Sequence, residues 1–379
     1  MSEVQSGLEG VVAFATTIAE PDREGGALRY RGVDLEELAG REPFEHVWGL
    51  LVDGTLAPGL APAAARDLPL RTGPGRGATA SDARVGAPAA SRPAAFRAGD
   101  TRADVQAAIA ALGAELEPLI DSTDERARDD LAWISALTLD FVAQSARGAD
   151  LPVVPMPEAG SLAERFLVRW RGEADPVHAR AIDAYWVSAA EHGMNASTFT
   201  ARVVASTGAD AAAALSAGVG ALSGPLHGGA PSRVLKMLDA VERTGDAAGW
   251  VRDALDAGER LMGFGHRIYR AEDPRARVLR RTARELHAPR FEAAEALEAA
   301  ALSALAQRKP DRVLATNVEF WSAVVLDCAT VPPELFTPLF VCARTAGWSA
   351  HVLEQKRERR LIRPTARYTG EGPRALAAV

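Results

Sequence analysis

The chain has 379 residues, of which 47% are apolar, 25% charged and only 6% aromatic, and its formal net charge is −7. This balance excludes a mainly disordered polypeptide, and the length is enough for two domains with a sizeable core. Mild acidity gives no general attraction to nucleic acid or to an anionic membrane surface, so neither is expected as a partner.

The first fifty residues mix structural types. Two short strands are expected, over 10–14 and 27–31, around the turn-rich run Pro21-Asp22-Arg23-Glu24-Gly25-Gly26. Asp34 can cap a short helix, and the spacing of Phe44, Val47, Trp48 and Leu51 predicts another over 44–51. From 57 to 99 the pattern dissolves into Ala, Pro, Gly and Arg and reads as a flexible, low-complexity loop. Its Gly-Pro-Gly-Arg-Gly run at 73–77 has neither the preceding strand nor the following Gly-Lys-Ser/Thr of a nucleotide loop.

Beyond Asp104 the pattern is almost continuously helical. It predicts helices over 105–119, 124–146, 162–170, 176–190, 210–222, 232–242, 247–257, 273–286, 292–307, 318–329 and 333–356. Asp175-Pro176, Gly208, Gly224-Pro225 and Pro332-Pro333 separate them as caps and breakers. The fold class is therefore mostly α with a minor N-terminal β element. The segment 210–222 is small-sided on every face. It fits a helix closely approached by other backbones, either inside one core or across a subunit interface.

Two cysteines, Cys328 and Cys342, cannot build a disulfide framework, and no signal-peptide pattern opens the chain. The most apolar stretch, 211–226, is too short and too interrupted for a membrane span of about 20 residues. A cytoplasmic protein is expected.

Three of the seven histidines lie in Gly- or Asn-rich breaks: His192, His227 and His266. There the backbone can approach a ligand and unpaired N–H groups are available. The other four, His46, His178, His287 and His351, fall within helical patterns and read as surface or packing residues. Neither HExxH nor a Cys/His cluster occurs, and Gly-x-Ser-x-Gly is absent, so zinc sites of the usual spacing and a nucleophile elbow are unsupported. Arginines gather in two places. Arg267, Arg270, Arg275 and Arg277 follow His266, and residues 355–367 carry six basic side chains against one acidic. The second cluster reads either as a solvated basic tail or as a recognition surface for carboxylates or phosphates, which the guanidinium fork suits.

Taken together, several runs resemble the citrate synthase family over nearly the whole chain, with the nearest likeness to its second, citrate-synthase-like branch in actinobacteria. The runs are GLEGVVA at 7–13, LRYRGVD at 28–34, HGMNASTF at 192–199, GPLHGG at 224–229, MGFGHRIYRAEDPRAR at 262–277, NVEF at 317–320 and FVCARTAGWSAHVLE at 340–354. The resemblance implies a two-domain helical fold that forms a homodimer. Its large domain would comprise 1–226 plus 325–379 and its small domain 227–324, with the active site in the cleft between them. It also implies condensation of acetyl-CoA with oxaloacetate, then hydrolysis of citryl-CoA to citrate and CoA. No cofactor or metal is implied beyond the CoA thioester substrate.

Carried over residue by residue, Glu319 stands at the family's catalytic base and His227 at the donor that stabilises the enolate. His266 stands where the family polarises and protonates the oxaloacetate ketone. His192, Arg275 and Arg344 match oxaloacetate-binding residues, Arg363 matches an arginine reaching in from the partner subunit, and Arg270 matches a contact to CoA phosphate. These residue types suit the chemistry, since removing a proton beside a thioester carbonyl needs a base at carbon and a donor at oxygen.

Two departures carry expectations. Most of the family has Asp where this chain has Glu319. The extra methylene moves the carboxylate by about 1 Å, a shift that can cost ~10²-fold in rate. The helix bearing Glu319 is therefore expected to sit slightly farther from His266. The 73–98 stretch is expected to be a mobile surface insertion without catalytic effect. Two other functions remain open on these motifs: a 2-methylcitrate synthase using propionyl-CoA, and a non-catalytic, ligand-sensing paralogue.

Overall fold

The computed structural model describes residues 6–8, 10–22, 24, 26–61, 98–148, 151–155, 160–225, 227, 231–265, 269, 272–312 and 314–375. Most of the low-complexity stretch over 57–99 thus lies outside the described residues, as do His266 and Arg270.

The N-terminal β element is a three-stranded antiparallel sheet of β1 (Ala19–Pro21), β2 (Leu28–Tyr30) and β3 (Val33–Asp34), in that order. The expected strand over 27–31 is β2, but its partner is β1 rather than 10–14. The apolar run at Val11 and Val12 is exposed instead. Phe14 packs on Phe199 at 5.9 Å and beneath the Arg202 guanidinium at 4.2 Å. A β-branched run without a ladder partner is not a strand, whatever its propensity.

Fourteen α-helices follow among the described residues. The first eight are α1 (Leu35–Leu38), α2 (Phe44–Asp53), α3 (Thr101–Leu112), α4 (Asp124–Arg147), α5 (Leu162–Arg171), α6 (Pro176–Ala189), α7 (Ala196–Ser206) and α8 (Ala211–Leu222). Then come α9 (Pro231–Thr244), α10 (Ala247–Asp256), α11 (Pro274–Glu285), α12 (Phe291–Arg308), α13 (Val318–Cys328) and α14 (Phe336–Glu358). Side-chain caps start many of them. Asp34, Asp100, Thr123, Asp175, Asp210, Asp246 and Asp273 each accept backbone N–H bonds of the first turn, and Ser161 and Glu164 form a capping box.

Helix α7 is absent from the sequence expectation. Its run ASTFTARVVAS is rich in β-branched and hydroxyl residues of low helix propensity. It is held by the Asn195 cap and by packing on α8 and α14. Helix α8, the small-sided segment, is buried within its own chain against α3, α7 and α14, and a Cβ at Gly218 would stand 3.0 Å from the Trp348 ring.

The core is organised on α14, which is buried on every face from Phe336 to Leu353 apart from a few positions in its first turns, and packs against α2, α4, α6, α7 and α8. A second set, α9, α10 and α12, packs together and meets α13, which in turn touches α6 and α11. Two conditions let α14 pass so close to the end of α6. Gly347 donates its N–H to Ala190 O at 3.1 Å, and a Cβ there would stand 2.7 Å from that same oxygen and overlap Glu191 Oε2. Gly347→Ala is expected to cost about 2–4 kcal/mol in equilibrium unfolding, because backbone cannot rotate away as a side chain can.

Asp183 of α6 accepts the Phe44 N–H at 2.9 Å at the start of α2, and burial, with the Glu45 carboxylate nearby, pushes its pKa up to about 7. The native state then binds a proton that the unfolded state has already lost, so stability falls as pH rises from about 4 to about 7. At ~1.4 kcal/mol per pKa unit the effect is up to about 4 kcal/mol. Asp183→Asn is expected to flatten that slope, read as a higher Tm at pH 8 than wild type and no gain at pH 4.

Candidate active site

The turn between α6 and α7 carries His192 and is fixed from three sides. The buried Tyr30 phenol of β2 donates towards the carbonyls of Val187 and Glu191, both at 3.1 Å, and accepts from the Glu191 N–H at 3.3 Å. Asn195 Oδ1 then accepts the Ser197 and Thr198 N–H groups, each at 3.1 Å. On the inner side, Glu191 Oε1 lies 3.3 Å from His351 Nε2, and Arg202 joins the same buried network through His351 Nδ1 and Glu354. His192 itself is 6% exposed, and its Nε2 lies 3.0 Å from the Tyr269 hydroxyl.

A second turn pair brings residues 263–265 beside the start of α13. Phe264 and Thr316 form an antiparallel bridge. Gly265 N–H donates to Ala315 O at 2.7 Å, Asn317 N–H to Gly263 O at 2.9 Å, and the Asn317 side-chain amide to Gly265 O at 2.9 Å. Gly263 has φ of 87°, and a Cβ there would stand 2.7 Å from Phe320 Cβ, so neither the backbone nor the space admits another residue. Asn317 also caps α13 by accepting the Glu319 N–H at 3.0 Å, which sets Glu319 in the first helical turn.

Asp273 joins this pair to α11. Its carboxylate accepts the Arg275 N–H at 3.0 Å, Arg275 Nε at 3.0 Å, Arg275 Nη2 at 2.7 Å and the Val318 N–H at 3.1 Å. Asp273 is 1% and Arg275 4% exposed. Burial works against the Arg275 charge, but Asp273 more than offsets it, so the guanidinium holds its proton more firmly than free arginine.

From α14, Arg344 reaches the same region. Its Nε donates to Ala189 O at 3.0 Å, its guanidinium lies 4.8 Å over the Phe340 ring, and its buried Nη1 has no hydrogen-bond partner among the described residues. Burial pushes its pKa down, Glu191 opposes this, and the positive charge of Arg275 adds to it. Desolvation raises the phenols of Tyr30, Tyr185 and Tyr269 out of their ordinary range, and both arginines pull against it at the first two, as Arg275 does at the third. Desolvation also raises the Glu319 carboxyl, with Arg275 and Arg260 acting in the opposite direction. His227 lies on the other side of Phe340, ring centroids 6.3 Å apart, with its Nε2 3.0 Å from Ser197 Oγ. Ser197 Oγ also lies 2.8 Å from Asn195 Oδ1 and accepts from Trp348 Nε1 at 3.2 Å.

Of the residues singled out in the sequence, the structure thus links His192, Arg275, Arg344, Glu319 and His227 through shared neighbours. His266 and Arg270 lie outside the described residues, and with them the expected separation of Glu319 from His266. Arg363 is exposed. The adjacent Ile362 N–H donates to Ser206 Oγ at the far end of α7, about 14 Å of helix from Ser197. Two members of the C-terminal basic cluster, Lys356 and Arg357, pair with Asp124 at 2.7 Å each. Arg277 is held by Glu36 at 2.7 Å.

The remaining histidines divide. His46 and His178 are half-buried beside Glu42 and Arg171, and His287 is exposed in a turn, whereas His351 is fully buried in the polar network behind the His192 turn. Sequence reasoning passed over Tyr269, Ser197, Glu191 and the pairing role of Asp273. The available signals were the helix-opening Asp273-Pro274 and the Asn195-Ala-Ser197 cap, each of which reads locally as a helix start and nothing more.

The family model "Citrate synthase, C-terminal domain" matches residues 7–365. The chain belongs to the citrate synthase family. It is accordingly an enzyme of acyl-transfer type. The Mycobacterium tuberculosis protein named "Putative citrate synthase 2" is 57% identical, covering 98% of this chain and 95% of its own. "2-methylcitrate synthase 2" of Corynebacterium glutamicum is 32% identical over 100% of this chain and 98% of its own. Among solved structures, the ternary complex of carboxymethyl coenzyme A and oxaloacetate with citrate synthase from Thermoplasma acidophilum superposes with a TM-score of 0.77 at 26% identity, covering 100% of both chains. No helix among the described residues is long and apolar enough to cross a membrane.

The Asp273 carboxylate is the element of this site most open to direct test. Asp273→Ala takes the carboxylate from a buried guanidinium and the acceptor from the Val318 N–H. It is expected to destabilise the protein by about 3–5 kcal/mol in denaturant unfolding.

Proposed function

We propose that this protein condenses acetyl-CoA with oxaloacetate and hydrolyses the resulting citryl-CoA to citrate and CoA. The observation that carries this reading is the convergence of two buried guanidiniums, Arg275 and Arg344, beside Glu319, with Arg344 Nη1 buried and unpartnered. An unsatisfied buried cationic N–H group is costly, and a small dicarboxylate supplies what it lacks. His192 adds an imidazole to the same region.

Glu319 then acts as the base that removes the methyl proton. Its burial favours this, because desolvation raises the carboxyl and makes its ionised form a stronger base than an exposed one, with Arg275 acting against that rise. His227 donates to the enolate oxygen. Ser197 Oγ, which donates to Asn195 Oδ1 at 2.8 Å and accepts from Trp348 Nε1 at 3.2 Å, lies 3.0 Å from His227 Nε2 and holds the ring in place for that oxygen. His266 protonates the alkoxide that forms on the former ketone. For CoA, a cavity of about 350 Å³ beside Leu314 and Ala315 offers apolar walls with Lys309 and Arg312 at its rim, a pairing suited to a phosphorylated tail. Arg270 is a further phosphate partner.

In this reading 227–324 forms a small domain that closes on a large domain of 1–226 plus 325–379 and shields the thioester from premature hydrolysis. The chain works as a homodimer, with Arg363 donated to the partner's site. Support comes from the exposure of Arg363 and of the neighbouring apolar Leu361 (59%) and Tyr368 (80%), and from the tether at the wrong end of α7 for its own site. The reaction needs no metal or prosthetic group, and a cytoplasmic location fits it.

Propionyl-CoA as the physiological acyl donor is the second reading, favoured by the 2-methylcitrate synthases among the relatives. One methylene in an apolar pocket is worth only about 1–3 kcal/mol, so partial use of both thioesters is expected. The test is CoA-thiol release by the purified chain with oxaloacetate and each acyl-CoA, comparing kcat/KM. Acetyl-CoA is expected to lead, and Glu319→Gln to lower kcat at least ~10²-fold. Oxaloacetate binding without release from either thioester would instead make the protein a ligand sensor.

A further inference from the structure

Tyr269 lies three residues beyond His266 on the segment that runs from Gly265 to Asp273. This segment is braced at its two ends, by Gly265 N–H to Ala315 O at 2.7 Å and by Asp273 N–H to Thr316 O at 3.4 Å. Between these braces Tyr269 turns inward, 4% exposed, and meets a residue 77 positions away, His192. The two rings stand edge to face, centroids 5.3 Å apart and planes at 65°, with the phenol oxygen 3.0 Å from Nε2.

We propose that Tyr269 is a positioning residue for His192: its hydroxyl donates to Nε2, fixes the imidazole in the Nδ1–H form, and seats His192 for the dicarboxylate. This rests on the oxaloacetate reading above. A neutral imidazole has one donor and one acceptor nitrogen, and whichever partner takes Nε2 determines what Nδ1 offers. A buried phenol is a firm O–H donor here, since desolvation opposes its ionisation. The hydrogen bond also has a consequence that packing alone would lack. Tyr269 and Arg275 sit on the same stretch of chain as His266, whereas His192 belongs to the turn fixed by Tyr30. The bond therefore ties the His192 turn to the stretch of chain that carries Tyr269 and Arg275.

The test is Tyr269→Phe in the full chain, which keeps the ring and deletes the hydroxyl. The KM and calorimetric Kd for oxaloacetate are expected to rise roughly five- to tenfold, the range one neutral hydrogen bond carries, while the acyl-CoA KM stays within about twofold. In a His192→Ala background the same substitution is expected to change neither further. An unchanged oxaloacetate Kd, or an equal loss persisting without His192, overturns the inference. A second measurement needs no variant that might fold poorly. The two-bond imidazole ¹⁵N–¹H spectrum of the wild type should show His192 neutral with its proton on Nδ1, and a proton on Nε2 overturns the proposal. Wild-type protein that binds no oxaloacetate would sink the reading of function together with this inference. Wild-type binding that ignores the hydroxyl sinks this inference alone.

Discussion

The structure depends on one buried carboxylate. Asp273 takes the Nε–Nη2 edge of the Arg275 guanidinium and, with the same two oxygens, the N–H groups that begin α11 and α13. Each interaction is ordinary alone. Together they fix two helix N-termini and a cation at one point that water scarcely reaches. Burying an arginine is unfavourable unless its charge is matched, and burying an aspartate likewise. Each group makes the other tolerable, and their shared location then dictates where Glu319 stands, two residues beyond Asn317 on α13. The positive field of Arg275 felt at Glu319 and at Tyr269 is a consequence of that placement.

Around this point the scaffold does two further things. It passes a helix, α14, through the middle of the molecule, which requires side chains that fill space on all sides and one position, Gly347, where there is no room for any. It also pins the His192 turn from outside with Tyr30 and from inside with the Glu191–His351–Arg202 network. Arg202, at 0% exposed, is itself satisfied by Gln355, Glu354 and Glu358. A buried polar network of this kind is specific because it is unforgiving: any other packing of α7 against α14 would strand several charged or polar groups at once. Arg344 Nη1 is one of the buried polar atoms left without a partner among the described residues, as is Glu191 Oε2 of this network, and it lies near Arg275, where an anionic substrate is proposed.

Much of this was legible before any coordinates. The helix opened by Asp175-Pro176 is legible from its cap, and those from α9 to α13 from their helical pattern, with ends displaced by a few residues. The family could be read from runs such as MGFGHRIYRAEDPRAR, because each places chemically distinctive residues at fixed intervals. Where the reading failed, the cause was non-local. The Val11-Val12 run has strand propensity but no neighbouring strand, and the sheet formed one turn later in the chain. Helix α7 has poor propensity and a good partner surface, and the surface won. His351, read by its periodicity as a surface or packing residue, packs fully buried, in a polar network whose members no local pattern names.

The sequence by itself determined the class of fold, the family and the residue types able to enolise a thioester and hold a dicarboxylate, because those signals are local and repeat with the period of a helix or the spacing of a motif. Only the tertiary structure decided which partners meet. That Asp273 reaches across to start α13, that Tyr269 addresses His192, and that Arg277 is occupied by Glu36 are outcomes of desolvation. A charge taken out of water must find the nearest complementary group in space, and for residues 45 to 241 positions apart no one-dimensional pattern states which group that is.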